Sequence, residues 1–326
     1  MPINFYRKGL FPYGKGKEDL TSRFSYLRQM QSPSPTQWHS QGQSFSFQNH
    51  KIFFRQENDK AKETILLLHG FPTASWDWHR VWPGLAEGYR LVAPDFLGFG
   101  FSDKPKRHAY SIRQQADICE SLLRKLEVNR VHLLAHDYGN TVAQELLARH
   151  EDRKTAGDDS LVIQSCCFLN GGLFPETHRP KPIQKLLISP LGPLLTPFVG
   201  KSAMARTFRQ IFGPDTQPTE EEMDAYWELV ALQEGNKVMP RLIRYMTERT
   251  QNRERWVGAM QSTTLPMRII DGVVDPISGE HMVQRYEALI PNPDVVRLPG
   301  IGHYPQMEAP EEVLKHVLEF LKHQGG

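Results

Sequence analysis

Continuous apolar runs rich in Leu, Val and Ile most strongly constrain the fold of this chain of 326 residues. Four of them are TILLLHG at 64–70, YRLVAPDF at 89–96, RVHLLAHD at 130–137 and LVIQSCCFLNGG at 161–172. Such runs are typical of parallel strands that are buried on both faces. Two short strands are predicted before them, within 45–56, and two after them, at 266–275 and 294–300.

Between these runs lie segments whose apolar residues recur at helical spacing. They are SIRQQADICESLLRKL at 111–126, NTVAQELLARH at 140–150 and PEEVLKHVLEFLKH at 310–323. Ser111 is a suitable N-cap for the first of them. Strands that alternate with helices in this way predict an α/β fold with a mostly parallel, doubly wound sheet.

The chain divides into three predicted regions. Residues 1–44 are polar and predict an N-terminal arm. Residues 45–174 and 261–326 carry the alternating strands and helices and predict the core domain. Residues 175–260 are helical in pattern and lack strand signals, so they predict a helical cap inserted after the sixth strand.

Composition argues against several classes of protein. The 39 basic and 37 acidic residues nearly balance, so no nucleic-acid partner is predicted. No apolar run reaches the roughly 18 residues of a membrane span, and the N-terminus lacks the apolar segment of a signal peptide. Cys119, Cys166 and Cys167 predict buried thiols in a cytoplasmic protein. Because no HExxH motif occurs among the 13 histidines, we expect neither a metal nor a cofactor.

The segment LLAHDYGN at 133–140 has the pattern of a nucleophile elbow, the strand-to-helix turn that usually carries a serine. Ala135 and Gly139 are as small as this tight turn requires. The central residue here is Asp137. Because ligands of doubly wound sheets collect at the carboxyl ends of the strands, we expect Asp137 to lie in the functional site.

Two more residues follow later strands in the order nucleophile, acid, histidine, which is the order of the α/β-hydrolase fold. Asp275 ends the run at 266–275, and His303 lies between the last strand and the last helix. Asp271 is the rival acid, but it falls inside its strand, so Asp275 is favoured. Three such residues at the right strand ends indicate a catalytic site, although each alone is a weak signal.

A carboxylate at the elbow favours attack on a saturated carbon, because it is already ionised whereas a serine must first lose a proton. Asp137 would form an alkyl ester, which water activated by His303, oriented by Asp275, would hydrolyse. The backbone N–H groups of Phe71 and Tyr138 are the expected oxyanion hole. This chemistry predicts a small apolar electrophile as substrate, an epoxide or an alkyl halide rather than an ordinary ester.

Five motifs from about residue 45 onwards carry a family resemblance: LLHGFPTASWDW, DFLGFGFSDKP, AHDYGNTVAQELL, DGVVDP and GHYPQMEAP. The chain resembles the Asp-nucleophile branch of the α/β-hydrolase superfamily, which contains epoxide hydrolases and haloalkane dehalogenases. NGGLFPETHRP and RERWVGAM look most like the mesoderm-specific transcript subgroup. The resemblance implies an α/β-hydrolase fold with a helical cap and a hydrolase site.

Two positions separate the activities of that branch. The resemblance implies that dehalogenases hold the halide with Asn and Trp side chains, where this chain has Phe71 and Tyr138. Epoxide hydrolases commonly read His-Gly-Phe-Pro, as here, and protonate the epoxide oxygen with cap tyrosines. RLIRYMTER at 241–249 resembles the segment of the second cap tyrosine and assigns that role to Tyr245. The segment 208–216, where the first is expected, contains no tyrosine.

Three functional hypotheses follow. The first is a cytoplasmic epoxide hydrolase that forms a covalent ester on Asp137. The second is a haloalkane dehalogenase with a non-standard halide site. The third, a non-catalytic ligand-binding protein on a hydrolase scaffold, is disfavoured by the intact set of Asp137, Asp275 and His303. Trp76 and Tyr226 are the side chains expected to contact substrate, and the sequence leaves the substrate and the oligomeric state open.

Overall fold

The structure of the protein is a computed structural model that describes residues 32–179, 181, 184, 187–189 and 200–322. Most of the predicted N-terminal arm lies outside the described residues. Its last part forms helix α1 (Pro35–Ser40), which Ser34 caps. The buried indole of Trp38 in α1 donates a hydrogen bond of 3.1 Å to the Ser75 hydroxyl, so this helix is joined to the core.

The sheet has eight strands in the described part of the chain. They are β1 (Gln43–Phe47), β2 (His50–Glu57), β3 (Thr64–Leu68), β4 (Arg90–Pro94), β5 (Arg130–Ala135), β6 (Val162–Phe168), β7 (Met267–Gly272) and β8 (Asp294–Leu298). Their order is β1-β2-β4-β3-β5-β6-β7-β8. The strand β2 pairs antiparallel with β1 and β4, and the other neighbours are parallel. The predicted α/β fold with a mostly parallel sheet is confirmed.

Helices connect the strands and cover the sheet. They are α2 (Trp82–Ala86), α3 (Ile112–Lys125), α4 (Tyr138–Ala156), α5 (Lys201–Ile211), α6 (Glu220–Ala231), α7 (Met239–Leu242), α8 (Tyr245–Gln251), α9 (Arg253–Ser262), α10 (Glu280–Leu289), α11 (Pro305–Glu308) and α12 (Pro310–Lys322). Turns of 3₁₀ helix lie at Ser75–Trp78, Pro175–Thr177 and Leu232–Lys237. Ser111 caps α3 by accepting the N–H of Gln114, as predicted. None of the helices in the described ranges has the length and apolar character to cross a membrane.

Burial on both faces explains the apolar runs of the central strands. All five residues of β3 are buried, and this strand lies between β4 and β5. A strand in this position has no face in water, so its sequence is continuously apolar. The carboxyl ends of β3, β5 and β6 are neighbours, which brings His69, Asp137 and Asn170 to one edge of the sheet.

Helices α5 to α9 lie between β6 and β7, where the sequence predicts the cap of residues 175–260. The last of them, α9, packs along α4 of the core. The side chains of Arg255 and Trp256 both donate hydrogen bonds to Glu145, a carboxylate of α4 that is 2% exposed. These contacts fix α9 to the helix that begins at the elbow.

Candidate active site

Asp137 lies at a sharp turn between β5 and α4. Its backbone has φ 46° and ψ −103°, a conformation that residues other than glycine rarely adopt and that costs about 1–3 kcal/mol. Its N–H donates to the carbonyl oxygen of Asn170 over 2.8 Å. A Cβ on Gly139 would lie 2.2 Å from the carbonyl oxygen of Leu68, so only glycine fits there. This turn has the geometry of a nucleophile elbow.

The carboxylate of Asp137 faces the loop after β3. Its Oδ2 accepts a hydrogen bond of 3.0 Å from the backbone N–H of Phe71. His69 fixes this loop, because its Nδ1 bonds the carbonyl oxygen of Gly70 over 2.8 Å and its Nε2 accepts the N–H of Phe96 over 3.0 Å. Burial lowers the pKa of His69 to about 3, so the ring is neutral and carries its proton on Nδ1.

Tyr138 begins α4, so its backbone N–H is one of the four that an α-helix leaves without an internal acceptor. Together with the N–H of Phe71 it can serve as a donor to an oxyanion at Asp137. The side chain of Tyr138 packs against Phe96 and Phe99, with ring centroids 5.4 and 5.1 Å away. A phenol therefore stands where the family resemblance implies a halide-binding indole in dehalogenases.

His303 and Asp275 form a buried pair. The Nδ1 of His303 lies 2.7 Å from Oδ2 of Asp275, and these residues are 2% and 3% exposed. Asp275 also accepts hydrogen bonds from the N–H of Ile277 and from the N–H and hydroxyl of Ser278. Burial would raise the pKa of Asp275, but the charge and hydrogen bond of His303 and then these donors lower it to about 2. The carboxylate is therefore ionised.

The pKa of His303 is displaced in the opposite direction. Burial disfavours the charged ring, but the negative charge and hydrogen bond of Asp275, and next the charge of Asp137, raise the pKa to about 9. The resting ring is therefore protonated at neutral pH. Because Asp137 contributes to this shift, any reaction that neutralises Asp137 lowers the pKa of His303 and so favours the neutral ring, the form that can accept a proton.

Asp271, the rival acid, is not paired with the histidine. Neither of its carboxylate oxygens has a hydrogen-bond partner among the described residues. Burial, followed by the charge of Asp275, raises the pKa of Asp271 well above its usual range. The acid that the sequence favours, Asp275, is the one that bonds His303.

A buried arginine of the cap also contacts Asp137, and the sequence interpretation missed it. Arg249 is 2% exposed, its Nη2 donates to the carbonyl oxygen of Asp137 over 3.2 Å, and this atom lies 3.9 Å from Oδ1. Its Nε donates to the Thr141 hydroxyl over 2.7 Å, and its guanidinium lies 4.5 Å from the ring centroid of Tyr245. The available signal was the spacing of four residues between Tyr245 and Arg249, which places both on one helix face. In so polar a stretch, an arginine is more typical of the surface.

Tyr245, the predicted proton donor, lies next to Asp137. Its ring centroid is 4.8 Å from that of Tyr138 and 6.2 Å from that of Phe71, and the residue is 1% exposed. Burial, then the negative charge of Asp137, raises the pKa of Tyr245 above its usual range, and a hydrogen bond with Asp137 contributes. The hydroxyl is therefore protonated, but Tyr245 is not among the residues that line the adjoining cavity.

That cavity has a volume of about 750 Å³, part of which is open to solvent. Its core wall consists of Phe71, Pro72, Asp137, Ile277, His303 and Tyr304. Its cap wall consists of Lys181, Gln184, Leu187, Ala203, Met204, Thr207, Phe208, Ile211, Trp227, Val230 and Met239. Since most of these side chains are apolar, the cavity suits a small apolar ligand and exposes it to one carboxylate and one imidazole.

Trp76 and Tyr226, the side chains expected to contact substrate, are not among the residues that line the cavity, so their contact with substrate stays a prediction. Trp76 stacks on His79 with ring centroids 4.2 Å apart and donates its indole N–H to the carbonyl oxygen of Pro33. Tyr226 packs edge-on against Trp76. Adjacent residues of a helix point about 100° apart, and Trp227 rather than Tyr226 faces the cavity.

Comparisons with known proteins agree with this fold. The sequence pattern of the alpha/beta hydrolase family matches residues 65–316. The mesoderm-specific transcript protein of Mus musculus is 42% identical over 299 residues, which cover 89% of this chain and 88% of that protein. The putative hydrolase LipZ of Mycobacterium tuberculosis is 37% identical over 292 residues, which cover 90% and 99%. The haloalkane dehalogenase DbeA from Bradyrhizobium elkani superposes with a TM-score of 0.71 at 23% identity, over 86% of this chain and 97% of that one. At that identity the structural likeness bears on the fold alone.

Proposed function

This chain belongs to the alpha/beta hydrolase family, and we propose that it hydrolyses epoxides to diols through a covalent ester on Asp137. One observation carries the proposal: Asp137, whose Oδ2 accepts the N–H of Phe71, and His303 line the same largely apolar cavity. A carboxylate in this position can attack a saturated carbon without the help of a base.

In the first step, Oδ1 of Asp137 attacks a carbon of the epoxide. Oδ2 already accepts the hydrogen bond from Phe71, so Oδ1 is the oxygen left to react. As the new C–O bond forms, the ring C–O bond breaks and its electron pair goes to the leaving oxygen, which needs a proton. The result is an alkyl ester of Asp137 that carries a new hydroxyl group.

In the second step, His303 takes a proton from water, and the water oxygen attacks Cγ of the ester. The negative charge that develops on Oδ2 is stabilised by the N–H of Phe71 and by that of Tyr138. The ester is uncharged, so its formation removes one of the charges that hold the pKa of His303 at about 9. His303 then loses its resting proton to solvent through the open cavity and becomes the base.

Positions 71 and 138 favour epoxides over haloalkanes, because neither Phe71 nor Tyr138 has a side-chain N–H to hold a halide. The contact of Tyr245 with Asp137 supports a part for this residue in the reaction. Because Tyr245 is not among the residues that line the cavity, we assign the protonation of the leaving oxygen to another group. Haloalkanes are the second candidate substrates, since the indole of Trp227 lines the cavity and its N–H could bind a halide.

A paired screen tests the proposal. A panel of epoxides and haloalkanes is offered to the purified protein, diol and halide release are measured in parallel, and Asp137→Ala is the blank. Diol formation that Asp137→Ala abolishes is the expected result. Halide release without diol would assign the second candidate, and the absence of both reactions across a broad panel would contradict the enzyme hypothesis.

The proposed ligand is a small apolar electrophile, and the proposed compartment is the cytoplasm. The apolar character of the cap wall supports the first. The second is supported by the three cysteines, which are all buried free thiols and would stay reduced there.

A further inference from the structure

A second polar cluster adjoins the cavity. Its members are Thr73, Asp77, Tyr226 and Tyr304, and each is 0% exposed. The Thr73 hydroxyl donates a hydrogen bond to Oδ2 of Asp77. Tyr304 connects this cluster to the reaction site, because its side chain lines the cavity and the nearby Thr73 hydroxyl lowers the pKa of its hydroxyl, although the two hydroxyls do not have hydrogen-bonding geometry.

Three polar atoms of this cluster have no hydrogen-bond partner in the part of the chain that the structure describes. They are Oδ1 of Asp77 and the hydroxyl oxygens of Tyr226 and Tyr304. The rings of the two tyrosines lie 5.9 Å apart, and the charge of Asp77 acts on both hydroxyls. Because burying an unpaired polar group costs about 1–3 kcal/mol, three of them together indicate that the cluster meets a ligand or water.

Packing explains the rings of this cluster but not the hydroxyls. The ring of Tyr304 stacks with Phe212 at 5.2 Å and lies 5.3 Å from Phe208. A phenylalanine would make the same contacts without burying an unpaired oxygen. Within the cluster, the hydroxyl of Tyr304 is the unpaired donor whose residue lines the cavity.

Asp77 and Tyr304, the two ends of the cluster, both favour their protonated forms. Burial raises the pKa of Asp77 well above its usual range, although the hydrogen bond with Thr73 opposes this. Burial, then the charges of Asp77 and Asp137, raise the pKa of Tyr304 as well. A carboxyl whose pKa is raised thus lies one hydroxyl away from a phenol on the cavity wall whose pKa is also raised.

We propose that Tyr304 protonates the oxygen that leaves the substrate carbon, and that Asp77 restores the proton of Tyr304 through the Thr73 hydroxyl. The inference rests on the proposed opening of epoxides by Asp137. When Oδ1 of Asp137 bonds the carbon, the epoxide C–O bond breaks and its electron pair takes the proton of Tyr304. The Tyr304 oxygen then takes the proton of Thr73, and Thr73 takes that of Asp77, which becomes a carboxylate.

The proton balance closes in the second step. Water gives one proton to His303 while its oxygen bonds the ester carbon, and the alkoxide released from the ester takes that proton back from His303. The second proton of the water is left on the Asp137 carboxyl and returns to Asp77 through Tyr304 and Thr73. Once Asp137 is ionised again, its charge raises the pKa of His303, and His303 regains from solvent the resting proton that it lost after ester formation.

His303 is the alternative proton donor to the leaving oxygen, since its ring is protonated at rest. The test therefore measures ester formation in a His303→Gln background, which lacks this proton and blocks ester hydrolysis. Intact-protein mass spectrometry follows the adducts of styrene oxide, whose leaving oxygen needs a proton, and of benzyl bromide, whose bromide needs none. Peptide mapping assigns each adduct to Asp137.

Tyr304→Phe is the test variant, and Tyr286→Phe is its matched control. Tyr286 is also 0% exposed and has an unpaired hydroxyl, but it does not line the cavity. We expect Tyr304→Phe to slow alkylation by styrene oxide about 10²-fold or more and to leave alkylation by benzyl bromide unchanged. Tyr286→Phe should leave both rates unchanged.

Other outcomes overturn the inference in distinguishable ways. Equal slowing with both probes would show that Tyr304 only positions the site, and an unchanged rate with styrene oxide would show that its proton is not used. Diol formation by the wild type, together with an adduct of benzyl bromide but none of styrene oxide in His303→Gln, would assign the donor to His303. If the wild type forms no diol from styrene oxide or any other epoxide, the proposed function itself fails.

Asp77→Asn tests the restoring step. Asparagine preserves the size of the side chain but supplies no acidic proton. The first alkylation in the His303→Gln background should keep its rate, because Tyr304 begins protonated. Steady-state diol formation in the otherwise wild-type protein should fall about tenfold or more. Steady-state turnover equal to that of the wild type would overturn the role of Asp77.

Discussion

The two walls of the cavity are built in different ways. The core wall consists of groups that follow the strands directly, and buried hydrogen bonds fix Phe71, Asp137 and His303. The cap wall consists mainly of apolar side chains of α5 and α6, such as Met204 and Val230. The difference suggests a division of labour in which the sheet determines which bond breaks and the cap determines which molecule reaches it.

Arg249 is an exception to this division. It belongs to the cap, yet it binds the carbonyl oxygen of Asp137 and the hydroxyl of Thr141 on α4. A movement of α8 would therefore move a positive charge that now lies 3.9 Å from the carboxylate of Asp137. The cap thus influences the electrostatics of the nucleophile, although its wall of the cavity is largely apolar.

Among changes to the core wall, removal of Asp137, the proposed nucleophile, should lower turnover the most. We expect Asp137→Ala to lower kcat/KM for an epoxide about 10⁴-fold or more, because Asp137 is the one carboxylate among the described residues that line the cavity. Asp158→Ala, which removes a carboxylate just beyond the other end of α4, should leave turnover unchanged. Circular dichroism establishes that both variants are folded.

Labelled water distinguishes the ester mechanism from direct attack by water. Over many turnovers in heavy-oxygen water, the peptide that carries Asp137 should gain label, because the hydrolytic oxygen enters its carboxylate. Label that appears in the product and never in this peptide would mean that water attacks the substrate directly.

The next largest effect should come from His303→Gln, which removes the base of the second step. We expect ester hydrolysis to slow about 10²–10⁴-fold, while alkylation continues because a carboxylate needs no base. Intact-protein mass spectrometry should then show an adduct that accumulates with time. His316→Gln, on α12 and away from the cavity, should form no lasting adduct. An inactive His303→Gln protein that never forms an adduct would count against the two-step scheme.

The pKa of His303 should report the charge state of Asp137. A nearby negative charge favours the protonated ring, so its loss must lower the pKa. Asp137→Asn imitates the neutral ester, and we expect it to lower the pKa of His303 from about 9 by about one unit or more. An NMR titration of the imidazole resonances measures the shift, and an unchanged or higher value would disprove the coupling.

Phe71 and Asp137 of the core wall could be predicted from the sequence because each follows closely the strand that places it, whereas Pro72, Ile277 and Tyr304 of the same wall were not predicted. Strands β3 and β5 are almost wholly buried, so apolar runs mark them, and Phe71 and Asp137 follow them within three residues. The resemblance to the α/β hydrolases and to the mesoderm-specific transcript subgroup is likewise confirmed. Local sequence was sufficient here because the sheet itself sets the geometry.

The cap side could not be predicted in the same way. Arg249 meets Asp137 across 112 residues of sequence, and only the packing of α8 on the core brings them together. Tyr226 and Trp227 are neighbours on α6, and the rotation of that helix decides which of them faces the cavity. A helix with apolar residues on more than one face does not fix this rotation by its sequence pattern.

Tyr245→Phe distinguishes the role of Tyr245 from that of Tyr304, the other tyrosine near Asp137. Because the Tyr245 hydroxyl contacts the carboxylate of Asp137 and lies off the cavity wall, we expect alkylation by an epoxide to slow by no more than about tenfold, far less than in Tyr304→Phe. Single-turnover mass spectrometry of both variants provides the comparison. A larger loss in Tyr245→Phe than in Tyr304→Phe would return the role of proton donor to Tyr245.

The smallest effect should come from the apolar cap wall. Met204 of α5 lines the cavity and is 6% exposed. Met204→Ala removes apolar contact with a bulky substrate, worth about 1–2 kcal/mol, and leaves Asp137 and His303 in place. We therefore expect KM for styrene oxide to rise about five- to tenfold and KM for propylene oxide to change little. The value of kcat should stay unchanged for both substrates.

Met282→Ala is the matched control for this variant, since Met282 is equally apolar, 1% exposed and absent from the cavity wall. It should change neither KM value at a temperature at which both variants remain folded. If Met204→Ala lowered kcat and left KM unchanged, the cap wall would act on the reaction itself. The division of labour between the two walls would then be wrong, and Arg249 would be one part of a wider influence of the cap on Asp137.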